Sequence, residues 1–191
     1  MNETRFDGRL KDCHGWLPRI FGLKGRLGRR ISDGKVRHAA MSTTNTAVVK
    51  LAIEVITLPV VDIERALRFY VDQVGFTLNV DCSPNDAFRV VQLTPPGSSC
   101  SIQIGRGLTD AAPGSLRNVY LVVANLEAAR NRLLERGVEV GEIRHKVPID
   151  AWNGAFEPGL DPARRNYASF ADFSDPDGNS WVLQERGYRN A

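Results

Sequence analysis

Two stretches of the chain repeat the same order of apolar and polar positions at an offset of 63 residues. Leu58-Pro-Val-Val-Asp-Ile-Glu-Arg-Ala66 aligns with Leu121-Val-Val-Ala-Asn-Leu-Glu-Ala-Ala129. In each copy an apolar run that fits a strand ends at an Asp or Asn, after which the apolar spacing becomes that of a helix. Asp62 and Asn125 are suited N-caps, because a short side-chain oxygen accepts from helix N–H groups that lack an intrahelical partner. Ile63, Ala66, Leu67 and Tyr70 fall near one helical face, as do Leu126, Ala129, Leu133 and, less strictly, Leu134. Gly75 and Gly137 stand at the helix ends. Three strands are predicted after each helix: 76–81, 87–93 and 99–104 in the first copy, and 138–145, 167–173 and 179–184 in the second. Gly97 and Asp177-Gly178 mark the turn before the last strand of each copy. The order is β-α-β-β-β, twice, which predicts an α+β fold of two tandem βαβββ modules.

The expected domain covers residues 48–188, with module one at 48–105, a Gly/Ala/Pro-rich linker at 106–116, and module two at 117–188. Module two carries an inserted loop, 146–166, that is rich in Pro and Gly yet includes Trp152 and Phe156. A loop of that length in a compact domain is often functional.

Charge divides the chain unevenly. Residues 1–40 hold ten Lys and Arg against four Asp and Glu, whereas the remainder holds fifteen against eighteen. The basic character therefore belongs to the N-terminal segment, and the folded part gives no electrostatic case for nucleic acid. Residues 1–47 read as a basic, disordered extension. Pro18, Gly22 and Gly25 break its only apolar stretch, and Met41, just ahead of the first strand, is a candidate true start. No apolar run approaches the roughly 18 residues needed to span a bilayer, so no membrane partner is expected. Cys13, Cys82 and Cys100 lack metal-ligand spacing, and so sparse and odd a set suits a reducing cytoplasm.

The run from Leu58 to Asp62, with Phe69-Tyr70 and Val74-Gly75-Phe76, resembles the first strand–helix unit of the vicinal oxygen chelate (VOC) superfamily, the glyoxalase/bleomycin-resistance/dioxygenase group. Phe173-Ser-Asp-Pro-Asp-Gly-Asn179 followed by Trp181-Val-Leu-Gln184 resembles that superfamily's closing hairpin. The resemblance implies curved mixed sheets that form a cup. In metal-dependent members it also implies four inward ligands for a divalent cation, one from the first and one from the last strand of each module. Carried over residue by residue, those positions fall on Val55, Gln103, Asn118 and Val182. Two are aliphatic and two are neutral amides, which bind a divalent cation poorly without carboxylate or imidazole partners, so no metal cofactor is expected. His145 is the one histidine after residue 47, which disfavours a two-histidine iron site and ring-cleavage dioxygenase chemistry. Glu54 and Glu185 lie out of register with the cup and are expected to be solvated.

Strand alternation extends the expected lining from those four to Thr57, Ser101, Tyr120 and Gln184, with Ser180 in the same register. Trp152 and Phe156 are placed to cover the cup or stack on a flat ligand. Arg164 and Arg165 read as a solvated rim, and Asp175-Pro-Asp177-Gly178 as a turn, since the remaining spacing of a calcium loop is missing. An aliphatic wall with an aromatic ring and neutral hydrogen-bonding groups suits an uncharged or weakly polar organic ligand. The resemblance thus points to a small-molecule binder of the bleomycin-resistance kind. The alternative is a glyoxalase-like lyase or isomerase, which lacks an evident general base here. A homodimer is implied by the resemblance alone.

Overall fold

A computed structural model describes residues 49–188 of the 191-residue chain. The basic segment expected to be a disordered extension therefore lies outside the described residues. The elements run β1 (Val55–Thr57), α1 (Ile63–Arg68), a π-helical continuation (Phe69–Val74), β2 (Thr77–Asn85), β3 (Phe88–Thr94), β4 (Ser101–Arg106), β5 (Val119–Val123), α2 (Leu126–Glu135), β6 (Arg144–Lys146), β7 (Phe156–Pro158), β8 (Ser169–Ser174) and β9 (Ser180–Glu185). They build two mixed sheets, ordered β1-β4-β3-β2 and β5-β9-β8-β6-β7. In each sheet the first strand of the repeat lies parallel to the last (β1 on β4, β5 on β9), and every other pairing is antiparallel. No closed barrel forms. No helix among the described residues is long and apolar enough to cross a membrane.

Both helices begin where short polar side chains cap them. Asp62 accepts from the Arg65 N–H at 3.0 Å, and Asn125 accepts from the Ala128 N–H at 3.0 Å. A cap of this kind contributes about 1 kcal/mol. The first helix turns π-helical after Arg68 and stops at Gly75, whose φ of 90° is open to glycine at little cost.

Alternation gives each sheet one face that packs against the helices. Ile102, Ile104, Val91 and Leu93 supply it in the first sheet; Trp181, Leu183, Ala171 and Phe173 supply it in the second. The two packed faces meet in one core. There Trp181 stacks on Phe173 (6.1 Å between centroids) and meets Tyr70 of the first helix edge-on at 5.8 Å. A buried polar seam accompanies the rings. The Tyr70 hydroxyl donates to Asp175 Oδ2 (2.8 Å) and accepts from Trp181 Nε1 (3.1 Å), while Asn179 Nδ2 donates to Asp175 Oδ2 and to the Pro59 carbonyl. Burial, together with the adjacent Asp175 carboxylate, raises the Tyr70 hydroxyl far above the usual tyrosine range and keeps it a donor.

Several segments depart from the sequence expectations. Residues 138–145, expected to form one strand, pair as a strand only from Arg144. Arg130 bonds the Gly141 and Val140 carbonyls, so side-chain donors take acceptors that a ladder would use, and Val140 keeps a lone bridge to Phe173. The inserted loop contributes a strand of its own, β7, paired with β6. The linker is stitched down rather than slack: the Gly114 N–H donates to the Pro59 carbonyl, Leu116 N–H to Asn179 Oδ1, and Ser180 N–H to the Leu116 carbonyl. Glu185, expected in solvent, is fully buried. Of the two arginines expected at a solvated rim, Arg165 is exposed while it holds the buried Asp161, and Arg164 is half-buried against Glu185.

Candidate functional site

The face of each sheet turned away from the helices carries the residues that strand alternation assigned to the cup. On the first sheet, Val55 lies opposite Ser101 and Thr57 opposite Gln103. Polar side chains on this face pair with one another. Gln103 Nε2 donates to Thr57 Oγ1 at 2.7 Å, and the Thr94 and Ser101 hydroxyls lie 2.8 Å apart. Val55 remains its exposed apolar member.

On the second sheet, one row crosses all five strands, from Val122 through Gln184, Phe170 and Arg144 to Pro158. The next row holds Tyr120, Val182 and Asp172. Tyr120, Val182 and Gln184 are therefore brought together here. Tyr120 and Val122 are 55% and 53% exposed, a large apolar surface for neighbouring positions of one strand. No other described residue hydrogen-bonds the Gln184 side-chain amide.

Asn118 is placed differently from the rest. It precedes β5 with a φ of 56°, which asparagine tolerates better than most residues. Its backbone N–H donates to Ser180 Oγ, and its exposed position is set by that turn rather than by strand alternation. Trp152 sits at the tip of the β6–β7 hairpin, where its Nε1 donates to the Ala155 carbonyl and its ring meets Phe156 edge-on at 5.3 Å. A groove of about 850 Å³ opens beside these faces, between the end of the first helix and β8, lined by Phe69, Gln73, Leu134, Val140 and Ser174 among others. Of the residues expected to line the cup, Ser180 borders it, while Val55, Thr57, Ser101, Gln103, Asn118, Tyr120, Val182 and Gln184 do not.

Four residues of the second face escaped the sequence reading: Arg144, Lys146, Phe170 and Asp172. Arg144 forks onto both oxygens of Asp172, and its guanidinium lies 5.0 Å from the centre of the Phe156 ring. Lys146 Nζ lies 4.6 Å from the centre of the Trp152 ring and 5.3 Å from that of Phe170. Alternation along 144–146 and 170–172 carries this placement, but only once the pairing of β6 with β8 is known.

Chemically, the face offers rings, aliphatic surface, one amide without a partner among the described residues, the Arg144–Asp172 pair and the Lys146 ammonium. The one carboxylate on its two central rows, Asp172, has both oxygens engaged by Arg144 and so is poorly placed as a general base. His145 points to the opposite side, its Nδ1 3.0 Å from the Gly159 carbonyl. The donor set does not fit a divalent cation. Val55 and Val182 offer no donor atom, which leaves only the neutral amide oxygens of Gln103 and Asn118, and no three His, Cys, Asp or Glu side chains cluster among the described residues.

A family model described as Glyoxalase/Bleomycin resistance protein/Dioxygenase superfamily matches residues 52–183. Solved structures with the same fold include TnmS3, an antibiotic binding protein from Streptomyces sp. CB03234. It is 32% identical, with a TM-score of 0.55 over 72% of this chain and 98% of its own. A glyoxalase/bleomycin resistance protein from the same organism is 33% identical, with a TM-score of 0.52 over 70% of this chain and 99% of its own. A superfamily member from Sphaerobacter thermophilus DSM 20745 is 27% identical, with a TM-score of 0.54 over 72% and 98%. Among curated proteins, none matches the chain.

Proposed function

The chain belongs to the Glyoxalase/Bleomycin resistance protein/Dioxygenase superfamily, and from that premise we propose that it binds a small organic molecule without a divalent metal and without altering it, as bleomycin-resistance proteins do. The observation that carries this reading is the outward face of the second sheet. Tyr120 and Val122 expose contiguous apolar surface, and the Gln184 amide beside them has no partner among the described residues. Apolar surface with a few placed polar groups is the usual lining of an organic ligand site. The likeness to an antibiotic binding protein agrees with a ligand of that class. A lyase or isomerase would need a base aimed at substrate, and Asp172 is held by Arg144 instead.

The reading extends to a cytoplasmic homodimer, in which a second copy covers the exposed Val55 face. Light scattering on the purified protein reads this directly, and a monomer at all concentrations rejects it.

The test of binding is a thermal-shift screen against antibiotics and small aromatic metabolites, followed by calorimetry on hits. At a hundredfold excess over Kd, a ligand stabilises by about 2.7 kcal/mol, which raises Tm by roughly 5–10 °C for a chain of this size. Ligand recovered after incubation is expected to keep its mass. The absence of any shift across a broad panel rejects the binding reading, and turnover of a hit rejects the non-catalytic one.

A further inference from the structure

We infer that the β6–β7 hairpin forms a subsite for a flat aromatic ring that bears an anionic group. This rests on the binding role proposed for the second sheet and specifies which ligands it prefers.

Trp152 and Phe156 are 43% and 39% exposed, yet neither is loose. The Trp152 indole is fixed by its hydrogen bond to Ala155 and by edge contact with Phe156, which in turn meets Phe170 edge-on at 5.8 Å. Half-exposed rings held in place offer stacking area at little further cost in conformational freedom.

The charges around those rings are unequal. Arg144 is matched by Asp172, so the pair adds little net field. Lys146 is not matched. Its ammonium sits between the Trp152 and Phe170 rings, and no carboxylate among the described residues lies within ion-pair distance of it. Glu157, its nearest acidic neighbour on β7, belongs to the opposite face because it pairs in register with His145. A cation fixed between rings attracts a carboxylate, sulfonate or phenolate on any ring stacked against Trp152, and it repels a cationic ligand. A neutral ring gains the stacking but not the charge.

Two fluorescent dyes with one aromatic skeleton separate these contributions: 8-anilinonaphthalene-1-sulfonate and its neutral parent, N-phenyl-1-naphthylamine. Titrated into the full chain at pH 7.5 and low salt, the sulfonate is expected to bind once per chain and at least about fivefold tighter than the parent. Lys146→Met keeps the aliphatic stem and removes the charge. It is expected to weaken the sulfonate about tenfold and the parent less than twofold, whereas Trp152→Leu weakens both. Added salt is expected to reduce sulfonate affinity in the native chain and to have little effect in Lys146→Met. Unchanged melting temperatures establish that the variants fold. Equal affinity for the two dyes, or sulfonate affinity within twofold of native in Lys146→Met, overturns the inference, and screen hits elsewhere on the sheet would leave the binding reading standing. If neither dye nor any panel compound binds, both fall together.

Discussion

Replacing Glu185 by alanine tests the energetics of the second module most directly. Its carboxylate is fully buried. Oε1 accepts from Arg164 Nε at 2.8 Å, and Oε2 accepts from Arg164 Nη2 at 2.5 Å and from the Leu126 N–H at 3.0 Å. The Leu126 N–H opens α2 and has no partner within the helix. Breaking one half of a buried ion pair costs about 3–5 kcal/mol, because the other half is left uncompensated. Arg164 keeps a second carboxylate, Glu127 at 3.6 Å, and the face of Tyr188 at 3.7 Å, so the lower end of that range applies. Glu185→Ala is thus expected to cost about 3 kcal/mol, read as a lower urea midpoint with an unchanged slope. Glu185→Gln retains a carbonyl oxygen for the Leu126 N–H but loses the charge and sets an NH2 against the Arg164 Nε–H, so it is expected to cost about 2–3 kcal/mol. The double variant Glu185→Ala/Arg164→Ala is expected to cost less than the two single losses together, since no unpaired charge remains. A cost below about 1 kcal/mol for Glu185→Ala, or strict additivity in the double variant, refutes the account.

Other outcomes follow from the same coordinates. Hydrogen bonds from Arg165 hold the buried Asp161 carboxyl down at about 2, below its ordinary 3.8. A depressed carboxylate lends stability in full above its unfolded pKa and loses it as pH falls toward the folded one. Native stability is therefore expected to drop by up to about 2 kcal/mol between pH 4 and pH 2. Asp161→Asn, less stable at neutral pH, is expected to show a correspondingly flatter profile in urea titrations across that window. Tyr70→Phe leaves the buried Trp181 Nε1 and Asp175 Oδ2 each short of one partner and is expected to cost roughly 2–4 kcal/mol by the same measurement. Gly114→Ala places a Cβ 1.9 Å from the Asp177 carbonyl oxygen at a φ of +69°, so a loss above about 2 kcal/mol is expected, with reduced soluble yield. Gln184→Leu, which keeps the shape of the outward face and removes its amide, is expected to weaken a polar ligand from the screen about tenfold in calorimetry and to leave Tm nearly unchanged.

Much of the fold could be read from the chain because local signals agreed with one another. Asp62 and Asn125 cap the helices where the repeat placed them, and the strand after the Asp177-Gly178 turn falls within a residue of its expected bounds, whereas β1 ends at Thr57, well short of Asp62. Less of the candidate site was legible. Alternation, which is local, set Tyr120 and Gln184 beside the Val182 position that the resemblance implied, and the three lie on one face. Lys146 and Phe170 were not found, because their meeting depends on β6 pairing with β8 across the inserted segment, and no period in the sequence states which strands become neighbours. Asn118 shows the opposite limit: the resemblance implies a strand position there, whereas its positive φ puts it one residue before the strand. Glu185 looked like an ordinary strand-end carboxylate, and its burial is made tolerable by Arg164, twenty-one positions away, together with the Leu126 N–H.

The polar seam between the halves bears on how the molecule can come apart. The Pro59 carbonyl of one half receives both Gly114 of the connector and Asn179 of the other half, while Tyr70 and Asp175 complete each other across the duplication. Severed after the connector, either half would carry buried donors and acceptors that nothing of its own sequence can answer. The duplication is thus expected to unfold as a single cooperative unit, read as one transition in calorimetry.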